Sequence, residues 1–285
     1  MDLTVKKIWK NTYQKLLHFE NEREASSLAY RLIEHYTQID KLHVNLDLHT
    51  QIKKEIYNQI QTALNELQQG KPIQYILGKT VFGEATVFVD ERVLIPRYET
   101  EELLAWILQE NPNFSETIID VCTGSGCILT AFGLENPKAK LYGIDYDNQI
   151  IELAYKNAIY NKVKANFIVR DVLSETFSSY SHSCHVLVSN PPYVRQSEKA
   201  FMKRKVLDYE PSKALFVPDE NPLVFYNAIA KWASKNLVSK GKIYVEINEV
   251  FSNEIIDLLK GFDFQGIELR LDMQNKPRMI RAIQK

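Results

Sequence analysis

The sequence predicts an α/β fold, and three observations lead to this prediction. Strand-like and helix-like segments alternate between residues 117 and 190, as they do in a parallel sheet covered by helices. The strand-like segments are apolar on both faces, which is typical of buried parallel strands. A glycine-containing turn follows the first of them, at the strand end where α/β proteins bind ligands.

The first 72 residues predict a small helical bundle of their own. Apolar residues recur there at the 3.6-residue spacing that gives a helix one buried face. The stretches with this spacing are residues 5–17, 25–36 and 52–67. Asn21 precedes the second stretch as a capping residue, and Gly70 follows the third as a stop signal. We therefore assign residues 1–72 to a separate helical domain.

Residues 73–98 predict a β-hairpin that links two domains. Gly78 and Gly83 indicate turns, and residues 84–95 alternate in polarity as a strand does. A helix is predicted to follow, because its first turn is acidic and Thr100 is available to cap it. We assign everything from residue 99 to residue 285 to the domain that contains the sheet.

Within this domain the predicted strands are short apolar runs separated by helical patterns. They cover residues 117–121, 139–145, 165–171, 184–190 and 241–247. Two closing segments, "FQGIELRLD" and "PRMIRAI", predict a reversed hairpin that completes the sheet.

Composition narrows the class of protein. The chain of 285 residues is 45% hydrophobic and 25% charged, which is ordinary for a globular protein. A net charge of −1 argues against a protein that binds nucleic acid over its whole surface. Three cysteines do not make a disulfide framework, and no apolar run is long enough to span a membrane. Because the first fifteen residues are amphipathic rather than signal-like, we expect a cytoplasmic protein.

The segment "IIDVCTGSGCIL" places Gly124 and Gly126 between the first strand and a helix. Glycine lets the backbone turn tightly there and approach a ligand closely. A dinucleotide-binding loop would have a third small residue where Leu129 stands, and this loop does not carry the Gly-Lys-Ser/Thr of a phosphate loop. We therefore expect this loop to bind something other than a pyrophosphate.

Two acidic residues follow the next two strands. Asp145 ends the second strand, where its carboxylate can accept both hydroxyls of a ribose. Asp171 ends the third, where its side chain or the amide of Val172 could meet an adenine edge. A nucleoside without a polyphosphate, at the carboxyl ends of parallel strands, suggests S-adenosyl-L-methionine as the cofactor, with S-adenosyl-L-homocysteine as its product.

The fourth strand runs into "SNPPYV" and stops abruptly. Two prolines stiffen the turn, so that the Asn190 side chain and the Pro191 carbonyl are held in place. Two fixed acceptors suit a planar –NH₂ group, and Tyr193 offers a flat face for a conjugated substrate. With Pro192, these residues predict an N-methyltransferase site in which Asn190 and Tyr193 are catalytic and Asn190 also contacts the cofactor. A protein amide and a nucleobase amine both fit this pattern.

Several blocks of the sequence resemble the HemK/PrmC protein-(glutamine-N5) methyltransferases, which modify peptide chain release factors. They are "PIQYILG", "LIPRYETEELL", "DVCTGSGCI", "SNPPY" and "VLDYEPSKAL", in that order after the helical domain.

The resemblance implies a Rossmann-like class I S-adenosylmethionine-dependent methyltransferase domain that needs no metal. Residues 122–126 (Cys122, Thr123, Gly124, Ser125 and Gly126), Asp145 and Val172 would line the cofactor site. Residues 190–193 would hold the glutamine of the Gly-Gly-Gln loop of a class 1 release factor. The helical domain would contact another part of that factor, and no direct binding to nucleic acid is expected.

The chain departs from the family pattern at a few positions. Cys122 stands where many members have glycine, which is tolerable if its φ is not positive. Tyr98 replaces a usual proline. Asn248 and Asn275 stand where glycines are common, and asparagine is the non-glycine residue that best tolerates left-handed φ.

Three other functions stay open at this point. One is methylation of a glutamine in a ribosomal protein, and another is methylation of an exocyclic amine in nucleic acid. The third is a nucleoside-binding module without catalysis. The basic segment 195–213, with six Lys/Arg against three Asp/Glu, is either a solvated surface or a face for a partner.

Overall fold

A computed structural model of the chain describes residues 3–46 and 49–285. Residues 1–2 of the amphipathic N-terminus and residues 47–48 of the predicted helical domain lie outside this description. The chain divides into two compact units, Met1–Gly78 and Lys79–Lys285. Within the described residues, no helix has the length and apolar character that crossing a membrane requires.

The first unit is a helical bundle, as predicted. Its helices are α1 (Val5–Leu16), α2 (Glu22–Thr37), α3 (Lys41–Leu46), α4 (Lys54–Gln68) and α5 (Ile73–Leu77). The predicted cap is confirmed, because the Asn21 side chain accepts a hydrogen bond from the Glu24 N–H at 3.0 Å. Ile8, Leu32 and Ile60 are buried together in the core, so the apolar stripes face one another. The short helices α3 and α5 were not predicted.

The second unit begins with the predicted hairpin, in which β1 (Lys79–Phe82) pairs antiparallel with β2 (Ala85–Phe88). Helix α6 (Tyr98–Glu110) follows. The prediction that Thr100 caps this helix is wrong, because Arg97 occupies the cap position. Thr100 lies inside the first turn and is 3% exposed, and its hydroxyl instead donates to Glu246.

The remaining strands and helices follow to the end of the chain. They are β3 (Thr117–Val121), α7 (Cys127–Glu135), β4 (Lys140–Asp145), α8 (Asn148–Tyr160), β5 (Ala165–Val169), α9 (Glu175–Ser178), β6 (Cys184–Ser189), β7 (Val194–Arg195), α10 (Arg204–Tyr209), β8 (Phe216–Val217), α11 (Val224–Asn236), β9 (Leu237–Glu246), α12 (Ser252–Gly261), β10 (Gln265–Leu271) and β11 (Pro277–Ile283). Strands β7 and β8 form a small parallel pair of their own.

The main sheet has seven strands in the order β10-β11-β9-β6-β3-β4-β5. Strands β9, β6, β3, β4 and β5 are parallel, and β11 and β10 form the predicted reversed hairpin at one edge. Because the chain moves from β5 to β6 across β3, the loops after β3 and β6 diverge at this point of the sheet. Such a crevice at the carboxyl ends of strands is where open α/β sheets bind ligands.

Two features of this unit differ from the prediction. Strand β5 is an edge strand whose side chains are partly or fully exposed, so it is not apolar and buried on both faces. Helix α11 was missed, although Tyr226, Ile229, Ala230 and Ala233 have the spacing of a helix and are buried in the core. Its apolar stripe was therefore readable from the sequence.

Candidate functional site

A cavity of about 410 Å³ lies at the carboxyl ends of the parallel strands. This volume is within the range of small-molecule sites. The predicted site residues that line it are Cys122, Thr123, Gly124, Ser125, Asp145, Asp171, Val172, Asn190 and Pro192. Gly126, Pro191 and Tyr193 do not line this cavity.

The glycine loop between β3 and α7 has left-handed backbone at three positions. Gly124 has a φ of +53°, and a Cβ added to it would meet nothing within 4 Å, so its backbone is open to a ligand. Gly126 has a φ of +72°, and an added Cβ would lie 3.0 Å from the Cβ of Ala154. Gly126 therefore allows α7 and α8 to pack closely and does not face the cavity.

Cys122 does not meet the condition set for it by the sequence. Its φ is +62°, in the left-handed region that glycine adopts without strain. The backbone therefore carries local strain at this position.

Hydrogen bonds made by Thr123 fix the glycine loop to the sheet. The Thr123 N–H donates to the Ile144 carbonyl at 3.0 Å, and the Thr123 hydroxyl donates to Asp120 Oδ2 at 2.6 Å. Asp120 is fully buried, and its burial raises the pKa of the carboxyl to about 8. These contacts fix the loop to strand β3, through Asp120, and to the neighbouring strand β4, through Ile144.

Asp145 lies at the end of β4 and points its carboxylate at the glycine loop. Oδ2 accepts from the Gly124 N–H at 2.8 Å, and Oδ1 accepts from the Tyr146 N–H at 2.8 Å. Burial raises the pKa of Asp145 to about 6, although these two N–H groups oppose the rise. Each oxygen keeps one lone pair, so the carboxylate can still accept two hydrogen bonds from a ligand.

The turn after β6, residues 190–193, is called the acceptor turn here, and it is hydrogen-bonded to helix α6 and strand β9. The Asn190 amide nitrogen donates to Thr100 Oγ1 at 3.0 Å, and the Tyr193 hydroxyl donates to Glu246 Oε1 at 3.0 Å. Burial, reinforced by the charge of Glu246, raises the pKa of Tyr193 well above its usual value. The Tyr193 hydroxyl is thus hydrogen-bonded inside the protein. The stacking of its ring on a substrate stays a prediction.

The two sequence blocks "IPRYET" and "YEP" meet at one buried carboxylate. Glu210 is 5% exposed; it accepts from the Ile95 N–H at 3.1 Å and from the Arg97 guanidinium at 2.6 Å. The loop that follows, residues 211–218, contributes several residues to the cavity lining. No local feature of the sequence indicates this contact, because its partners lie more than a hundred residues apart.

The same loop reaches the opposite wall of the cavity. The Lys213 ammonium lies 4.9 Å from the ring centroid of Tyr146, the residue after Asp145. Both side chains line the cavity, so the loop passes close to the carboxylate predicted to bind the ribose. Sequence reasoning did not assign Tyr146 or Lys213 to the site.

The two asparagines that replace glycines behave differently. Asn275 has a φ of +62°, so the expectation of a left-handed asparagine is confirmed there. Asn248 has a φ of −73°, and the expectation is wrong there; its side chain accepts from the Val250 N–H as a helix cap. Its amide nitrogen also donates to the Tyr193 carbonyl at 3.2 Å. Asn248 therefore supports the acceptor turn, a role that glycine could not fill.

Metal binding has no support in the described residues. No group of three or more His, Cys, Asp or Glu side chains in this part of the chain is arranged to hold a metal ion.

Comparison with known proteins identifies the family. The model of the Methyltransferase small domain matches residues 80–208, and that of the PrmC N-terminal domain matches residues 10–78. A release factor glutamine methyltransferase of Flavobacterium psychrophilum is 37% identical over 273 residues, which cover 94% of this chain and 95% of that protein. The chain belongs to the release factor glutamine methyltransferase family.

Other relatives and solved structures agree with this assignment. A release factor glutamine methyltransferase of Bacteroides thetaiotaomicron is 37% identical over 79% of this chain and 80% of its own length. The crystal structure of a methyltransferase from Pyrococcus furiosus matches with a TM-score of 0.54 at 13% identity, covering 76% of this chain and 98% of that one. At this identity the structural match shows the fold, which is the class I methyltransferase fold predicted.

Proposed function

We propose that this protein transfers a methyl group from S-adenosyl-L-methionine to the side-chain amide nitrogen (N5) of the glutamine in the Gly-Gly-Gln loop of class 1 release factors. The observation that carries the proposal is the position of Asn190. Its side chain lines the same cavity as the glycine loop and Asp145. An acceptor for an amide N–H therefore lies beside the predicted cofactor site.

The cavity fits this cofactor. Gly124 presents backbone without a side chain at its wall, and a Cβ there would enter open space. Asp145 is held by two backbone N–H groups and keeps two lone pairs for the ribose hydroxyls. Asp171 and Val172 line the cavity, where they would bound the adenine.

When bound, S-adenosyl-L-methionine supplies an electrophilic methyl group on a sulfonium. The residues of this chain orient the nucleophile. An amide nitrogen is weakly nucleophilic because its lone pair is delocalised. Asn190 Oδ1 and the Pro191 carbonyl are proposed to accept the two N–H groups of the substrate glutamine, which aims the lone pair at the methyl group. Orientation of this kind lowers the barrier, and the nitrogen releases one of its two protons to solvent as it gains the methyl group.

The rest of the chain supports recognition of a protein substrate. We propose that the helical domain, residues 1–72, contacts a second part of the release factor, while residues 73–98 link it to the methyltransferase domain, residues 99–285. Recognition would then extend beyond one side chain. A release factor acts in translation, so the proposed site of action is the cytoplasm, and no direct contact with nucleic acid is required.

The test is a methyl-transfer assay with separate acceptors. The purified protein is incubated with radiolabelled S-adenosyl-L-methionine and, in separate reactions, a class 1 release factor, ribosomes or DNA. We expect label in the release factor and none in the same factor with its Gly-Gly-Gln glutamine replaced by alanine. Label in ribosomes or DNA alone would instead establish one of the alternative substrates, and label in none would favour a binding module.

A further inference from the structure

Behind the acceptor turn lies a buried carboxylate that touches two parts of the site. Glu246 ends strand β9 and is 1% exposed. Its Oε2 accepts from the Thr100 hydroxyl at 2.6 Å, and its Oε1 accepts from the Tyr193 hydroxyl at 3.0 Å. Thr100 in turn contacts the Asn190 side chain at 3.0 Å. Helix α6, strand β9 and the acceptor turn therefore share one chain of hydrogen bonds.

The direction of each bond in this chain follows from the number of protons available. The Thr100 and Tyr193 hydroxyls both donate to Glu246, as they must when its carboxyl group is ionised. Thr100 has a single hydroxyl proton, and once it is donated the oxygen can only accept. Asn190 must therefore face Thr100 with its –NH₂ group, and its amide oxygen must point away from Thr100. The two amide branches are otherwise nearly equal in shape.

The pKa of Glu246 lies above its usual value, and three neighbouring groups oppose this rise. Burial raises the pKa of this carboxyl, while the hydrogen bonds from Thr100 and Tyr193 and the charge of Arg278 act in the opposite direction. Each of these three groups stabilises the charged form. The directions of these hydrogen bonds follow from the donors in the structure, in which Thr100 donates to Glu246 and accepts from Asn190.

We propose that Thr100 and Glu246 are positioning residues that fix the orientation of the Asn190 amide, with its oxygen toward the acceptor nitrogen. The proposal rests on the proposed function, because it explains how that site selects an N–H donor. A flipped Asn190 would present its own –NH₂ to the –NH₂ of glutamine. Two donors would then face each other in a partly buried site, and a hydrogen bond needed for orientation would be lost.

Substitution of Thr100 tests this proposal. Thr100→Val keeps the shape of the side chain and removes the hydroxyl, and we expect kcat to fall by about tenfold to a hundredfold, the usual effect of one lost orienting hydrogen bond. The affinity for S-adenosyl-L-methionine should change by less than about threefold, because the substitution leaves unchanged the glycine loop and Asp145, which are proposed to hold the cofactor. Thr100→Ser restores the hydroxyl and should recover most of the turnover.

A double-mutant cycle separates positioning from general support of the fold. If Thr100 acts through Asn190, Thr100→Val should have no further effect on turnover in an Asn190→Ala background. Independent, multiplied losses would overturn the proposal, as would wild-type turnover in Thr100→Val. Asp208→Ala, at an exposed position of α10, serves as the control. If Thr100→Val does not fold, Thr100→Ala removes the same hydroxyl with a better helix former.

A spectroscopic measurement does not depend on the substrate. In protein labelled with ¹⁵N at asparagine, the side-chain –NH₂ signals of Asn190 are assigned by their loss in Asn190→Ala. We expect these signals to move or broaden in Thr100→Val and to return to their original positions in Thr100→Ser. Unchanged signals in Thr100→Val would contradict the proposed contact, even if no release factor were methylated. If the signals respond as expected but the wild-type protein methylates no release factor, the proposed function is wrong and the proposed contact is not.

Discussion

Glu210 offers a stringent test of how the site is held together. Its carboxylate accepts from the Ile95 N–H at 3.1 Å and from Arg97 at 2.6 Å, and its side chain is 2% exposed. Glu210→Ala removes both bonds and leaves the Ile95 N–H buried without this acceptor. Hydrogen bonds that involve a charged group contribute about 1.5–3 kcal/mol each. Because Arg97 is one-third exposed and regains water, we expect a total loss of about 2–4 kcal/mol.

The assay is urea unfolding of the second unit, followed by the fluorescence of Trp106 and Trp232, which lie in its core. Asp208→Ala is the matched control, because Asp208 lies in the same segment and pairs with Arg204 at 3.8 Å on the exposed surface. Such a pair contributes at most about 0.5 kcal/mol. The loop after Glu210 lines the cavity, so cofactor affinity should also fall. The reasoning is wrong if Glu210→Ala loses no more stability than Asp208→Ala.

Other predictions concern the glycine loop and the pH dependence of stability. Gly124→Ala should weaken cofactor binding and cost about 1 kcal/mol of stability. The added Cβ meets no neighbour, so the cost is only that of an alanine at positive φ. Gly126→Ala should lose more stability, since its Cβ would also lie 3.0 Å from the Cβ of Ala154. Calorimetric titration measures cofactor binding by the two variants, and thermal melts measure their stability. Equal stability losses would contradict the packing role of Gly126. Although burial raises it, the pKa of Glu110 is lowered to about 2, chiefly by hydrogen bonds from Tyr244 and Trp106. Its folded pKa lies below the unfolded value, so this stabilisation is present above about pH 4.5 and is lost as pH falls toward about 2. Glu110→Gln should therefore lose less stability than the wild type over that range, and parallel acid-unfolding curves for the two proteins would refute this.

The parts of the site that lie at strand ends could be predicted from the sequence. Gly124, Asp145 and Asn190 each follow an apolar run, and the carboxyl ends of parallel strands meet at one edge of a sheet. That rule brings them together without knowledge of any contact. The cavity lined by all three agrees with it.

The parts that depend on distant partners could not be predicted in this way. Thr100 has the sequence context of a cap, and only its contact with Glu246, 146 residues away, reveals a different role. The same holds for Glu210, whose partners belong to a block more than a hundred residues earlier. Backbone angles could be predicted only in part, because the left-handed φ of Asn275 was expected, whereas the positive φ of Cys122 and the ordinary φ of Asn248 were not.

The most direct test of the proposed function is to locate the transferred methyl group. A class 1 release factor is incubated with the protein and S-adenosyl-L-methionine, digested, and analysed by tandem mass spectrometry. We predict one added methyl group on the side-chain amide of the Gly-Gly-Gln glutamine, with at least a hundredfold less in the Asn190→Ala reaction, about the loss seen when one orienting group is removed from a preorganised site. A methyl group on any other residue, or equal methylation by Asn190→Ala, would contradict the account.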